Sequence, residues 1–311
     1  MKSIALLLLL LMASFQPVFA LDPGKVQGTF TVNKETVQLS KAYAHLHDNA
    51  EGLLERPKEL RILLVDREVP PGALSGIALL PALEMAKEGK LRGLLLQFDP
   101  SDRHNLEVTL LYPPVKSGQA LMTQTLSDTA KELIKKLEVS AQFVSGEFEQ
   151  GDQNATAPKD MHRSQNATAA QEMEADQDDV AVVDMPKLTY ALQFNARLSK
   201  ELPVSSDLKG KAAENSPQVK VLREKARALA KNDFEALRKL CTERINRFND
   251  DLRKKAGTHY SIFADEAAGD LEALLQNVER VVVRGEHAVV IFSDHEWANL
   301  VREGKVWKSD D

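Results

Sequence analysis

Residues 278–292 read Val-Glu-Arg-Val-Val-Val-Arg-Gly-Glu-His-Ala-Val-Val-Ile-Phe. β-Branched side chains fill both halves of the stretch, and such residues fit a pleated, half-buried surface better than a helix. Gly285-Glu286 divides the halves as a two-residue turn, with Gly supplying the positive φ that a tight hairpin demands. The stretch therefore predicts a hairpin of Val278–Arg284 and His287–Phe292. A second hairpin follows, Glu296–Arg302 and Lys305–Ser309, joined at Glu303-Gly304. Together they predict an antiparallel meander.

Upstream of the meander the apolar period lengthens from two to three and four. Val219, Val221, Leu222 and Leu229 serve a first helix, with Lys220, Arg223, Lys225 and Arg227 as its solvated face. Phe234, Leu237, Cys241, Ile245, Phe248 and Leu252 then form one stripe of a second helix. Asn232-Asp233-Phe234-Glu235 reads as its capping box. Asp265–Gln276 predicts a third helix. Helices followed by an antiparallel meander define an α+β domain over residues 212–311. The polar stretch 203–216 in front of it reads as an interdomain linker.

The N-terminal part alternates in strands. Gly28–Leu39 reads as a hairpin around Asn33-Lys34-Glu35. Further strands are expected at Leu60–Val65, Gly93–Asp99, Leu106–Tyr112, Glu138–Phe148 and Leu188–Leu198. In the last of these, Tyr190, Leu192, Phe194 and Ala196 share one face. Short helices are expected at Ala73–Glu88 and Ser127–Lys136. This pattern predicts an antiparallel β-sandwich-like domain over residues 24–202. Residues 150–184 interrupt it with an acidic, Gln- and Asn-rich insertion that repeats Gln-Asn-Ala-Thr-Ala. Such a composition buries too little apolar surface to offset the entropy of ordering, so a disordered insertion is expected.

Residues 1–20 carry the three parts of a secretory signal peptide: Lys2, the apolar run Ile4–Met12, and a small-residue end at Val18-Phe19-Ala20. The run is too short to span a bilayer. A mature chain starting at Leu21, without a membrane span and located in a bacterial periplasm or secreted, is the expectation. The whole chain has 311 residues and a net charge of −6, a balance that argues against nucleic acid as a partner. Its one cysteine excludes an intramolecular disulfide.

The order of elements in 212–311 resembles the NTF2-like, SnoaL-like superfamily, in particular its lumazine-binding-like bacterial envelope members. The residues that carry the resemblance are Ala230-Lys231-Asn232-Asp233-Phe234-Glu235-Ala236-Leu237, the hairpin Val281–Val290, and Trp297, Leu300-Val301, Glu303-Gly304-Lys305 and Trp307-Lys308. The resemblance implies a curved sheet wrapped around helices as a cone with an open pocket. In some members a pocket Asp or His performs acid–base chemistry. The N-terminal segments Leu63–Arg67 and Gly93–Asp99 resemble uncharacterised exported bacterial domains, which implies no function.

If the cone holds a pocket, His295 and Asp294 are the candidate acid–base residues, and Trp297, Tyr260 and His259 the candidate lining. His45 and His47 share one face of a strand and could hold a metal, with Asp48 beside them, but no partner cluster is visible. His295-Glu296-Trp297-Ala298-Asn299 lacks the second His of a zinc-protease motif. Cys241 lies on the apolar stripe, where a thiol behaves as a small hydrophobe. No phosphate loop, nucleophile elbow or Cys-x-x-Cys is present, and no cofactor is expected. The reading is a non-enzymatic exported protein that binds a small apolar ligand or an envelope partner. Its alternatives are a SnoaL-like enzyme and a structural interaction module.

Overall fold

The computed structural model describes residues 21–32, 34–76, 79–101, 106–113, 121–126, 134–150 and 188–311. Residues 1–20, read above as a signal peptide, and residues 151–184 of the expected insertion lie outside the described residues. The chain divides into two compact units. Unit 1 holds the chain up to His45, then Leu60–Leu74 and Leu79–Ser199. Unit 2 holds Leu46–Glu59, a short piece starting at Ser75, and Lys200–Asp311.

Unit 1 is built on β1 (Lys25–Val32), β2 (Glu35–Gln38), β3 (Lys41–His47), β4 (Glu59–Val65), β5 (Gly93–Phe98), β6 (Leu106–Leu111), β7 (Thr123–Leu126), β8 (Ile134–Val139), β9 (Phe143–Gln150) and β10 (Leu188–Lys200), with one helix, α1 (Leu80–Lys87). The hairpin expected at Gly28–Leu39 is there, with Val32 opposite Glu35 and Lys34 in the left-handed region at φ 79°. The face of Tyr190, Leu192, Phe194 and Ala196 is buried as the alternation requires. Ile134–Lys136, expected to end a helix, belongs to strand β8 instead.

The sandwich does not form. All ten strands belong to one hydrogen-bonded sheet in the order β2-β1-β10-β3-β4-β5-β6-β7, with β9 pairing β10 and β8 pairing β9. The sheet curls as a half-barrel. The physical reason lies in β10, thirteen residues long, which pairs with both β1 and β9 and so joins segments that two sheets would have separated. Strand β4 shows how both faces are covered without a second sheet. Its Leu60, Ile62 and Leu64 enter a core with Phe30, Phe98, Phe148 and Phe194. Its Leu63 and Val65 point the other way, onto Ala82 and Ala86 of α1. A strand buried at all seven positions, with apolar side chains on both faces, is the signature of a sheet covered on both sides.

Gly93 lets β4 and β5 meet. Its φ is 158°, and a Cβ built there would lie 2.0 Å from the Leu64 carbonyl oxygen and 2.9 Å from Val65 Cα. Backbone atoms cannot rotate aside as a flexible side chain does. Gly93→Ala is therefore expected to destabilise unit 1 by about 3 kcal/mol, read as a lower urea midpoint at unchanged slope.

Unit 2 carries a separate sheet in strict sequence order, β11 (Ser206–Lys209), β12 (Val278–Arg284), β13 (His287–Phe292), β14 (Trp297–Glu303) and β15 (Val306–Ser309). The hairpin read from residues 278–292 is present, with Val281 opposite Val290, Val283 opposite Ala288 and Gly285 at φ 57°. The helices are α2 (Lys211–Glu214), α3 (Pro217–Ala230), α4 (Phe234–Leu240), α5 (Glu243–Ala256) and α6 (Tyr260–Leu274). Residues 203–216 are no linker, since β11 and α2 occupy them and β11 pairs with β12.

The expected cone is also corrected. Val281, Val283, Val290, Phe292 and Leu300 pack one face of the sheet against Val219, Leu222 and Ala226 of α3. The other face, Val282, Val289, Ile291 and Trp297, packs against Leu53 from the Leu46–Glu59 segment. Side chains cover both faces of the sheet, and among the described residues strand content (42 %) exceeds helix content (29 %).

The single helix expected across Phe234–Leu252 breaks at Cys241. There the backbone is extended (φ −107°, ψ 155°) and bridges Ser309, while the Thr242 amide donates to the Ser309 carbonyl at 2.9 Å. Thr242 then caps a new helix, its side chain accepting from the Ile245 amide. The break resets the helical phase, and Phe248 ends up 61 % exposed rather than in the stripe. Asp233 alone caps α4, accepting from the Ala236 amide at 3.0 Å, so the four-residue capping box does not form.

Candidate functional site

Helices α4, α5 and α6 of unit 2 enclose an open cleft of about 710 Å³. Asn232, held in the left-handed region at φ 50°, turns the chain from α3 into α4 and places Phe234 on the cleft wall. Asn adopts this conformation more readily than most residues. Gly257, at φ 56°, ends α5 and aims the chain into α6, whose first residues Tyr260 and Ser261 also line the cleft. The Phe234 and Tyr260 rings sit 5.3 Å apart at a 58° tilt, an edge-to-face pairing that fixes both. Burial pushes the Tyr260 phenol up, so it is a neutral hydroxyl at physiological pH.

The polar wall is cationic. Arg253 stacks its guanidinium over the Phe234 ring at 4.0 Å, and Lys254 stands beside it. Asp250 is the acid on the wall, and both its oxygens accept from Arg238, at 2.7 and 2.9 Å. Asp250 is 4.0 Å from Arg253, too far for a hydrogen bond. Lys254 pairs with Asp251 at 3.6 Å on the exposed surface, which holds it weakly. The wall therefore presents positive charge above an aromatic floor. Helix α6 opens onto it with no acidic residue in its first turn, which adds the positive end of a helix dipole.

A second cluster lies in the interior of unit 2. His47 is fully buried, with Nδ1 2.9 Å from Glu201 Oε2 and Nε2 3.5 Å from Glu51 Oε2. Glu51 Oε1 accepts from Arg284 Nε at 2.7 Å. Arg284 also pairs with Asp48 and donates to the Leu202 carbonyl. The Gly76 amide donates to Glu201 Oε2 at 3.2 Å, and Arg280 donates to the Glu51 carbonyl at 3.1 Å. Arg280 holds the Asp207 carboxyl below the ordinary range through a two-point hydrogen bond.

The candidates read from the sequence are dispersed by the fold. His295 is exposed in a short 3₁₀ turn, Ser293–His295, at φ 63°, and Asp294 belongs to the same turn. Trp297 packs on the sheet face with Leu53. Tyr260 does line a cleft, but one between helices, and His259 is exposed at the 3₁₀ turn before α6. The exceptions are His45 and His47, which remain on one strand, β3, both buried, with His45 Nδ1 2.9 Å from Ser199 Oγ. Cys241 is buried and burial pushes its thiol up, which keeps it protonated and unreactive. Sequence reading missed Phe234, Arg253, Glu51, Glu201 and Arg284 as site residues. Arg284 alone gave a local signal, a guanidinium ending a run of three valines.

The chain matches no family model, no curated protein and no solved structure. Among the described residues, no helix is long and apolar enough to cross a membrane.

Proposed function

We propose that the chain is an exported bacterial binding protein, and that the cleft between α4, α5 and α6 seats a small amphipathic anion with an aromatic or other apolar body. The observation that carries this is the pairing of the Phe234–Tyr260 floor with Arg253 and Lys254 on one wall. An apolar body gains by packing on the part of Phe234 left open beside the stacked guanidinium, and a carboxylate gains two parallel hydrogen bonds from that guanidinium, already oriented by its stacking. His295 and Asp294 have no part in this reading.

The test uses chain recovered from the periplasmic fraction of cells expressing the full sequence, whose mass should begin at Leu21. Titrated with 2-naphthoate, it should bind one equivalent. Arg253→Glu should weaken binding about 10-fold to 100-fold, the worth of one charge-assisted pair at roughly 1.5–3 kcal/mol. Lys255→Glu, outside the lining, should leave affinity unchanged. Equal binding of an aromatic quaternary ammonium would rule out the anion, and an unprocessed cytoplasmic chain would rule out export.

A further inference from the structure

Two acceptor atoms confront each other inside unit 2. His47 Nε2 and Glu51 Oε2 are 3.5 Å apart, both shut off from solvent, and neither has a hydrogen-bond partner. On its other side the ring meets Glu201 Oε2 at 2.9 Å, so the hydrogen-bond network assigns the ring proton to Nδ1. That leaves Nε2 as a lone pair aimed at a carboxylate oxygen. Such a pair repels unless something positive separates it.

Distance distinguishes the two candidates. A second proton on the ring would draw nitrogen and oxygen to about 2.7–2.9 Å, the length of a charge-assisted hydrogen bond. A tetrahedral dication, with metal–nitrogen and metal–oxygen distances of about 2.0–2.2 Å, holds its ligands roughly 3.3–3.5 Å apart. The observed 3.5 Å fits the metal. The geometry points to a divalent, late first-row cation, Zn²⁺ in the first instance, held between His47 Nε2 and Glu51 Oε2.

The surroundings suit that assignment. A metal-bound imidazole commonly donates its other N–H to a carboxylate, which fixes its tautomer, and Glu201 stands where that partner is needed. Arg284 holds Glu51 Oε1, which leaves Oε2 to face the histidine. The loop between the two ligands is pinned by Asn49, whose amide donates to the Leu54 and Arg56 carbonyls at 2.8 and 2.7 Å. Its side-chain oxygen accepts from the Leu54 amide at 3.0 Å. Two protein ligands make this an open coordination sphere rather than a closed structural one. The site is separate from the anion cleft and stands or falls without it.

The test is a Zn²⁺ titration of untagged, metal-stripped protein by calorimetry, with X-ray absorption on the loaded sample. One equivalent should bind, with a first shell of nitrogen and oxygen that includes one imidazole. Binding should survive in the double variant His259→Gln/His295→Gln, which removes exposed histidines. It should disappear in His47→Gln and in Glu51→Gln. Glu201→Gln keeps both ligands and should weaken binding about 10-fold to 100-fold, a result that stands even if the ligand variants fail to fold. The proposal is overturned if the native protein takes up no zinc, if uptake vanishes with His259 and His295, or if absorption shows no imidazole in the first shell.

Discussion

Arg284→Met is expected to destabilise unit 2 by about 3–5 kcal/mol, the cost of leaving a buried carboxylate without its cation. Arg284 is 5 % exposed and Glu51 likewise 5 %, so water screens neither group well. The guanidinium serves Glu51, Asp48 and the Leu202 carbonyl together, and methionine replaces its volume but none of its donors. Asp48 is half exposed and regains water, so most of the loss falls on Glu51. Adding Glu51→Leu to Arg284→Met should recover part of the stability, because the unpaired charge goes too. The measurement is urea unfolding of both variants in excess chelator, which removes any metal contribution. A loss under about 1 kcal/mol for the single variant would place Arg284 among weak surface pairs.

What the sequence revealed is what depends on near neighbours. The hairpin at residues 278–292 was legible because alternation, β-branching and a glycine turn all act within a few residues. The same holds for β1–β2 and for the buried face of β10. The single curled sheet was not legible, since it depends on β10 pairing with β1 across some 160 residues of chain, and no local pattern encodes a distant partner. Strand β11 escaped for a related reason. Ser-Asp-Leu-Lys has little strand preference, and it is extended because the edge of β12 offers it hydrogen bonds. The site residues divide in the same way. His47 was legible as one of a histidine pair, but its partners Glu51, Glu201 and Arg284 come together only through the fold. Phe234 packs with Leu237, Cys241 and Ile245 as its place in the stripe requires, but the cleft it also lines exists only once α5 and α6 come together with α4.

A chain that begins at residue 203 is expected not to fold, although it contains every helix and strand of unit 2 from β11 onward. What it lacks is Leu46–Glu59, which the intact molecule counts as part of the same compact unit. Without that segment Arg284 loses Glu51 and Asp48, and Arg280 loses the Glu51 carbonyl. The sheet face of Val282, Val289, Ile291 and Trp297 loses its cover at Leu53. Exposing a large apolar side chain costs about 1.5–3 kcal/mol, and an unpaired buried charge costs about 3–5 kcal/mol more. Their sum approaches the roughly 5–15 kcal/mol by which a domain is stable at all. Amide spectra of the shortened chain should show collapsed dispersion and Trp297 emission should shift to the red. A synthetic peptide of residues 46–59 added in excess should restore both. A well-dispersed spectrum without the peptide would mean that residues 203–311 suffice, and that the buried arginine pairs decorate a sheet that stands on its apolar core alone.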